Sequence, residues 1–178
     1  MSTLLARDKE KILEYMLANP TKKVGVRELA KTLHLSPAHV SRTLSDFRAD
    51  GLVDKGTVNL ANPLVRSLKI FFNIKAIQDK NIVKNLTAVK TNGVGIYGSW
   101  ASGTNYEDSD LDIWIKVKKH PGEIKVASIS GELRKALERQ VQILVLTPER
   151  IKRMKDNDPL FYYSLVYGSM ILWGEAIE

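Results

Sequence analysis

Apolar positions along this chain recur with two periods, and the change from one to the other divides it. Near the N-terminus the period is helical. Residues 8–17 carry Ile12, Leu13, Tyr15, Met16 and Leu17, and Asn19-Pro20 ends the segment. Val26 to Leu33 places Leu29, Ala30 and Leu33 on one face, and Val40, Leu44 and Phe47 follow at i, i+4 and i+7. Ser36, Pro37 and Gly51 bracket that third helix as N-cap, first helical residue and C-terminal cap. Leu52-Val53, then Lys55-Gly56, then Val58 and Leu60 read as a small hairpin. Pro63 to Gln78 is apolar around much of its circumference, and a basic helix is expected over 80–91. Thereafter short apolar runs alternate with helical ones. Strands are expected up to Tyr97, over Leu111 to Val117, Val141 to Leu146 and Met170 to Gly174. Helices are expected over Glu123 to Glu138, from Thr147-Pro148-Glu149, and over Asp158 to Tyr167.

The pattern defines an N-terminal domain over 1–62, a helical connector over 63–91 and a C-terminal domain over 92–178. The fold class is α/β (α+β), with a small mixed sheet in the C-terminal domain. A connector apolar on several sides must be buried on more than one, either between the two domains or against a second copy, so a homodimer is a candidate assembly. No Gly/Ser-rich linker separates the halves, which predicts coupled rather than loosely tethered domains.

Composition narrows the chemistry. The absence of cysteine excludes disulfides and thiolate metal sites, and the scattered His34, His39 and His120 have no zinc-ligand spacing. No apolar run reaches the ~18–20 residues of a membrane span and no signal-peptide core is present, so a cytoplasmic location without a membrane partner is expected. The net charge of +7 favours polyanionic partners. Six basic side chains over 66–90 (Arg66, Lys69, Lys75, Lys80, Lys84, Lys90) face one acid, Asp79; they form a solvated helix face or line a nucleotide or nucleic-acid path. Glu107, Asp108, Asp110 and Asp112 crowd together instead, and repel one another unless a cation is bound.

The most informative stretch is Val94 to Ile115. An apolar strand ends at Tyr97, Gly98-Ser99 makes a turn, and Asp110-Leu111-Asp112 opens the next strand. Alternation places Asp110 and Asp112 on one face, ~7 Å apart along the strand, a hard-oxygen pair suited to Mg²⁺. A Gly-Ser turn feeding a helix offers N–H groups and a hydroxyl to a phosphate. Either feature alone is usually a plain turn or a solvated strand edge; the combination is more demanding. The order apolar, Gly98-Ser99, spacer, Asp110-Leu111-Asp112-Ile113 resembles the polymerase-beta-like nucleotidyltransferases, and Gly98-Ser-Trp-Ala-Ser-Gly103 with Ser109-Asp-Leu-Asp-Ile113 resembles their minimal members. The resemblance implies transfer of a nucleoside monophosphate from a nucleoside triphosphate to an acceptor hydroxyl, with Mg²⁺ (or Mn²⁺) as cofactor. Asp110 and Asp112 would be catalytic metal ligands, and Gly98 and Ser99 would seat the triphosphate. The acceptor, protein or RNA, stays open.

The family pattern places a third catalytic carboxylate on the next core strand, where this chain has Gln142 within Val141-Gln-Ile143. A neutral amide ligates metal weakly and cannot act as general base. Ser102 also stands where many minimal members have arginine. Glu138 and Glu149 lie at the two ends of that strand.

Helix, helix, turn, helix and hairpin is the order of a winged helix-turn-helix, and Leu35 to Val53 resembles the recognition segment of winged-helix transcription regulators. The resemblance implies duplex DNA as a partner, with Ser36, His39 and Arg42 toward the bases and Lys55 at the wing tip on phosphate. Arg42 and Arg48 are balanced by Asp46 and Asp50, so a protein-interaction module is the competing reading. Three functions follow: a transferase, a DNA-binding regulator whose degenerate transferase domain senses a nucleotide, and, by family analogy, an antitoxin-like protein acting on a partner protein.

Overall fold

A computed structural model describes residues 7–178, which divide into two compact units at Phe72/Asn73. The first holds α1 (Arg7–Ala18), α2 (Val26–Leu33) and α3 (Pro37–Ala49), then a two-stranded antiparallel hairpin of β1 (Val53–Asp54) and β2 (Thr57–Val58). Ile12, Leu13, Met16, Leu29, Val40 and Leu44 belong to its core, the residues whose helical spacing marked an inward face. Both ends of α3 are fixed by local chemistry. The Ser36 side chain accepts from the His39 N–H at 3.2 Å. At the other end the Leu52 N–H donates to the Phe47 carbonyl and Gly51 N–H to that of Arg48, a Schellman closure with Gly51 at φ +69°. In the hairpin, Lys55 and Gly56 both take positive φ, the geometry that matches the twist of two paired strands.

α4 (Pro63–Asp79) runs through the boundary: Val65 and Phe72 pack in the first core and Ile77 in the second. Lys69 departs from the reading of a basic face. It is 1 % exposed, and its ammonium donates to the Leu17 carbonyl at 2.6 Å. That carbonyl lies in the last turn of α1, where carbonyls lack helical partners and a cation is favoured.

The second unit continues with α5 (Ile82–Thr87), β3 (Thr91–Tyr97), α6 (Gly98–Ser102), β4 (Leu111–Val117), α7 (Glu123–Leu137), β5 (Val141–Leu146), α8 (Pro148–Asn157), α9 (Pro159–Gly168) and β6 (Met170–Gly174). The basic helix expected over 80–91 is shorter than its composition suggested. Asn81 is left-handed at φ 53°, which separates α5 from α4, and Thr91 already pairs with Val117 of β4. The four-stranded sheet has the order β5-β4-β3-β6. β3 is antiparallel to both neighbours, and β4 and β5, joined through α7, are parallel, so the sheet is mixed.

Alternation along β4 decides what each face does. Leu111, Ile113, Ile115 and Val117 enter a core with Ile82, Leu86 and Leu133. On the opposite face Trp114 is buried with Leu146, Tyr162 and Leu165. Asp112 shares that face but lies at the N-terminal end of the strand. Among the described residues no helix is long and apolar enough to cross a membrane.

Candidate active site

β3 ends at Tyr97 and the chain turns directly into α6 through Gly98, whose φ is +67°. A side chain there would be strained, and it would also collide: a Cβ at Gly98 would stand 2.7 Å from Asp112 Oδ2. The turn is therefore held against the carboxylate, with Gly98 and Ser99 at the first positions of the short helix. At the far end of α6, Gly103 and Thr104 donate their N–H groups to the Ser99 carbonyl. The Ser102 hydroxyl folds back on the Gly98 carbonyl at 3.1 Å.

Three strands place their residues side by side. Asp112 is in register with Tyr97 of β3 on one side and Gln142 of β5 on the other. Gln142 is therefore the neighbour of Asp112 on β5. Its Nε2 donates to Asp110 Oδ2 at 2.8 Å. An ionised carboxylate only accepts, so the amide nitrogen must face it, leaving the amide oxygen as the group's remaining acceptor. Asp110 and Asp112 are both half-buried. Burial, followed by the negative charge of Asp110, raises the Asp112 pKa above the usual carboxylate range. Burial and then the Asp112 charge raise the Tyr97 phenol, while Arg150 opposes them. Tyr97 is thereby a neutral phenol beside the acids.

The loop between α6 and β4 is braced by residues that the sequence did not single out. Asn73 is buried in α4 and donates through Nδ2 to the Trp100 carbonyl at 2.9 Å and to Asn105 Oδ1 at 3.0 Å. Arg139 donates to the Glu107 and Ser109 carbonyls at 3.2 and 3.1 Å, and its guanidinium lies 4.9 Å from the Trp100 ring centroid. Burial lowers the Arg139 pKa, yet a guanidinium starts so high that it stays charged. Asn73 did carry a signal, as a lone amide within Phe71-Phe72-Asn73-Ile74. Arg139 carried none.

Among the described residues no group of three or more His, Cys, Asp or Glu side chains is gathered as a metal site. The donor set is two carboxylates and an amide oxygen. It fits one divalent ion that completes its octahedron with phosphate and water oxygens, the usual manner of Mg²⁺. It does not fit a pair of ions each held by protein carboxylates.

Of the expected DNA-contacting residues, Ser36 and Arg42 are exposed on α3 and Lys55 is exposed in the hairpin turn. His39 is half-buried, and its Nε2 is enclosed without a hydrogen-bond partner.

The sheet, the Gly-Ser turn and the carboxylate pair define a nucleotidyltransferase domain. The family model "Polymerase beta, Nucleotidyltransferase" matches residues 78–171, more than half of the chain, and the chain belongs to that family. A search of curated proteins found no match. Among solved structures, one described as the crystal structure of a toxin-antitoxin with AMP-PNP is similar at a TM-score of 0.43 and 21% identity, over 54% of this chain and 73% of that one.

Proposed function

We propose that the protein binds a nucleoside triphosphate between the Gly98-Ser99 turn and the Asp110/Asp112 pair, and transfers its nucleoside monophosphate to an acceptor hydroxyl. In this reaction the acceptor oxygen bonds to the α-phosphorus, the bond from that phosphorus to the bridging oxygen of the β-phosphate breaks, and pyrophosphate leaves. The acceptor proton passes to solvent. One observation carries the proposal: Asp112 Oδ2 lies so near Gly98 that a Cβ there would be 2.7 Å away. A phosphate seated on the turn's N–H groups is then presented to the carboxylates. Asp110 and Asp112 would hold a divalent ion with the nucleotide, which supplies charge neutralisation on the phosphates. Ser99 would offer its hydroxyl to the triphosphate, and Tyr97 and Arg150 would bound the site beside Asp112.

A second reading rests on Gln142. Its amide occupies Asp110 where the family pattern has a third acid, so proton removal and a second ion both lose their ligand. Under this reading the domain senses a nucleotide and the N-terminal unit answers. We propose that the three helices and hairpin of that unit form a winged helix that meets duplex DNA through Ser36 and Arg42 of α3, with Lys55 on phosphate. The half-buried His39 would hold the helix rather than read a base through Nε2. Incubation with α-labelled nucleoside triphosphates, Mg²⁺ and cell extract separates the readings. Label on protein or RNA supports the transferase and names the acceptor class. Nucleotide retained without transfer supports the sensor, and Gln142→Asp should then switch transfer on, by ~10²–10⁴-fold if one acid–base group was lacking.

A further inference from the structure

Charge of the opposite sign gathers at the end of the sheet remote from the carboxylates. β4 starts beside Asp110 and Asp112 and ends at Val117, where Lys118 and Lys119 follow. Antiparallel β3 starts at that same end, directly after Lys90. Lys90, Lys118, Lys119, His120 and Lys125 line one surface cleft. Lys118 also lines a neighbouring cleft with Lys152 and Lys155 of α8. Three acids lie nearby: Glu123 is 3.4 Å from His120, Glu175 is 3.3 Å from Lys116, and Glu175 and Glu178 line the second cleft beside its lysines. Lys116 is further committed to the carbonyls of Ala176 and Glu178. Lys90, Lys119 and Lys125 are exposed and make no ion pair among the described residues.

We propose that these joined clefts bind the phosphodiester backbone of a nucleic acid. Ammonium groups gathered on one end of a domain repel each other until a polyanion neutralises them. Lysine is a compact point charge, suited to phosphate oxygens and poor at fixing a particular base edge. Two clefts that share Lys118 make a track longer than one phosphate needs. Their concave shape admits a narrow chain and not the flat face of a bilayer. From Asp110 to Lys118 the strand extends by roughly 26 Å at ~3.3 Å per residue, so a polymer held here leaves the nucleotide site open. The site lies wholly within the second unit. Its binding does not depend on whether transfer occurs, though a polymer so anchored would meet the nucleotide site at raised effective concentration.

The test uses the full chain carrying Arg42→Ala and Lys55→Ala, which weakens the binding proposed for the N-terminal unit. Fluorescence anisotropy is followed with a labelled mixed-sequence RNA oligonucleotide and with a labelled DNA duplex, over a salt series. Lys118→Glu/Lys119→Glu/Lys125→Glu should raise Kd by about tenfold or more and lower the log–log salt slope by ~2 for single strands, three contacts at ~0.7 each. Nucleotide affinity at the carboxylate site should stay unchanged. Should the reversed charges lower the melting temperature, the corresponding triple alanine variant gives the same readout. Loss with both probes assigns the backbone in general; loss with RNA alone assigns a single strand. Unchanged affinity in either triple variant would overturn the proposal. So would binding to phosphatidylserine vesicles, but not to nucleic acid, that the substitutions abolish, since the face would then belong to a membrane.

Discussion

Replacing Gly98 with alanine separates the cost of a backbone conformation from the cost of disturbing the site. The φ of +67° is one that an alanine occupies at a cost of about 1–2 kcal/mol. For a unit of this size each kcal/mol lowers the melting temperature by roughly 4–8 °C. The second effect is local: the new Cβ would stand 2.7 Å from Asp112 Oδ2, so the carboxylate must retreat by about 0.7 Å to reach ordinary contact at 3.4 Å. Displacements of about 1 Å at a reacting centre can reduce rates ~10²-fold. Gly122 supplies the control, since it has φ +95° and nothing within 4 Å of its Cβ position. Both variants should melt lower in thermal denaturation, Gly122→Ala by at least as much, because φ 95° with ψ 143° is close to a region that only glycine occupies freely. In calorimetric titration with nucleoside triphosphate and Mg²⁺, Gly98→Ala should lose at least about tenfold in affinity while Gly122→Ala binds as the native protein does. Equal binding by the two variants would refute the placement of Asp112 against the turn.

Arg139→Ala removes two charge-assisted hydrogen bonds and the contact with Trp100, so about 2–3 kcal/mol should be lost in denaturation. Amide exchange should accelerate over residues 104–109, and an unchanged loop would refute the bracing role. Without nucleotide or metal, Asp112→Asn should raise the melting temperature at pH 7. The folded pKa of Asp112 lies above its ordinary 3.8, so the native state binds more protons and its stability falls as pH rises through the folded pKa. The advantage of Asn should therefore shrink below about pH 4 in a melting series, and an advantage independent of pH would contradict the cause assigned. Arg42→Ala should cost ~1–3 kcal/mol at a preferred duplex in binding assays, whereas selection from random duplexes that enriches nothing would assign the N-terminal unit to protein contacts.

The sequence was most legible where a period repeats locally. The boundaries of α2, β5 and β6 coincide with their apolar patterns, and Ser36, Thr147 and Asp158 each accept the backbone N–H that their N-cap chemistry requires. Asp110, just before β4, is near enough to Asp112 for its charge to raise the pKa of that carboxyl. Contacts across the chain were less visible. Arg139 reaches the Glu107 and Ser109 carbonyls only because β5 lies beside β4, and no local pattern encodes that adjacency. Lys69 looked like one of a run of surface cations, yet packing of α4 places it beneath α1. The basic cleft at Lys118 and Lys119 joins the segment just before β3 to the loop after β4 and the start of α7, and the first of these is far from the others in sequence.

Whether Asp110 and Asp112 hold the nucleotide through a divalent ion is measured by calorimetric titration of a nucleoside triphosphate, with Mg²⁺ and with a chelator, into the native protein and into Asp110→Asn/Asp112→Asn. The native protein should bind saturably and only with the divalent ion, and the double variant, its fold intact by circular dichroism, should not bind. Equal affinity with and without the ion, or undiminished binding by the double variant, would contradict that role for the two carboxylates.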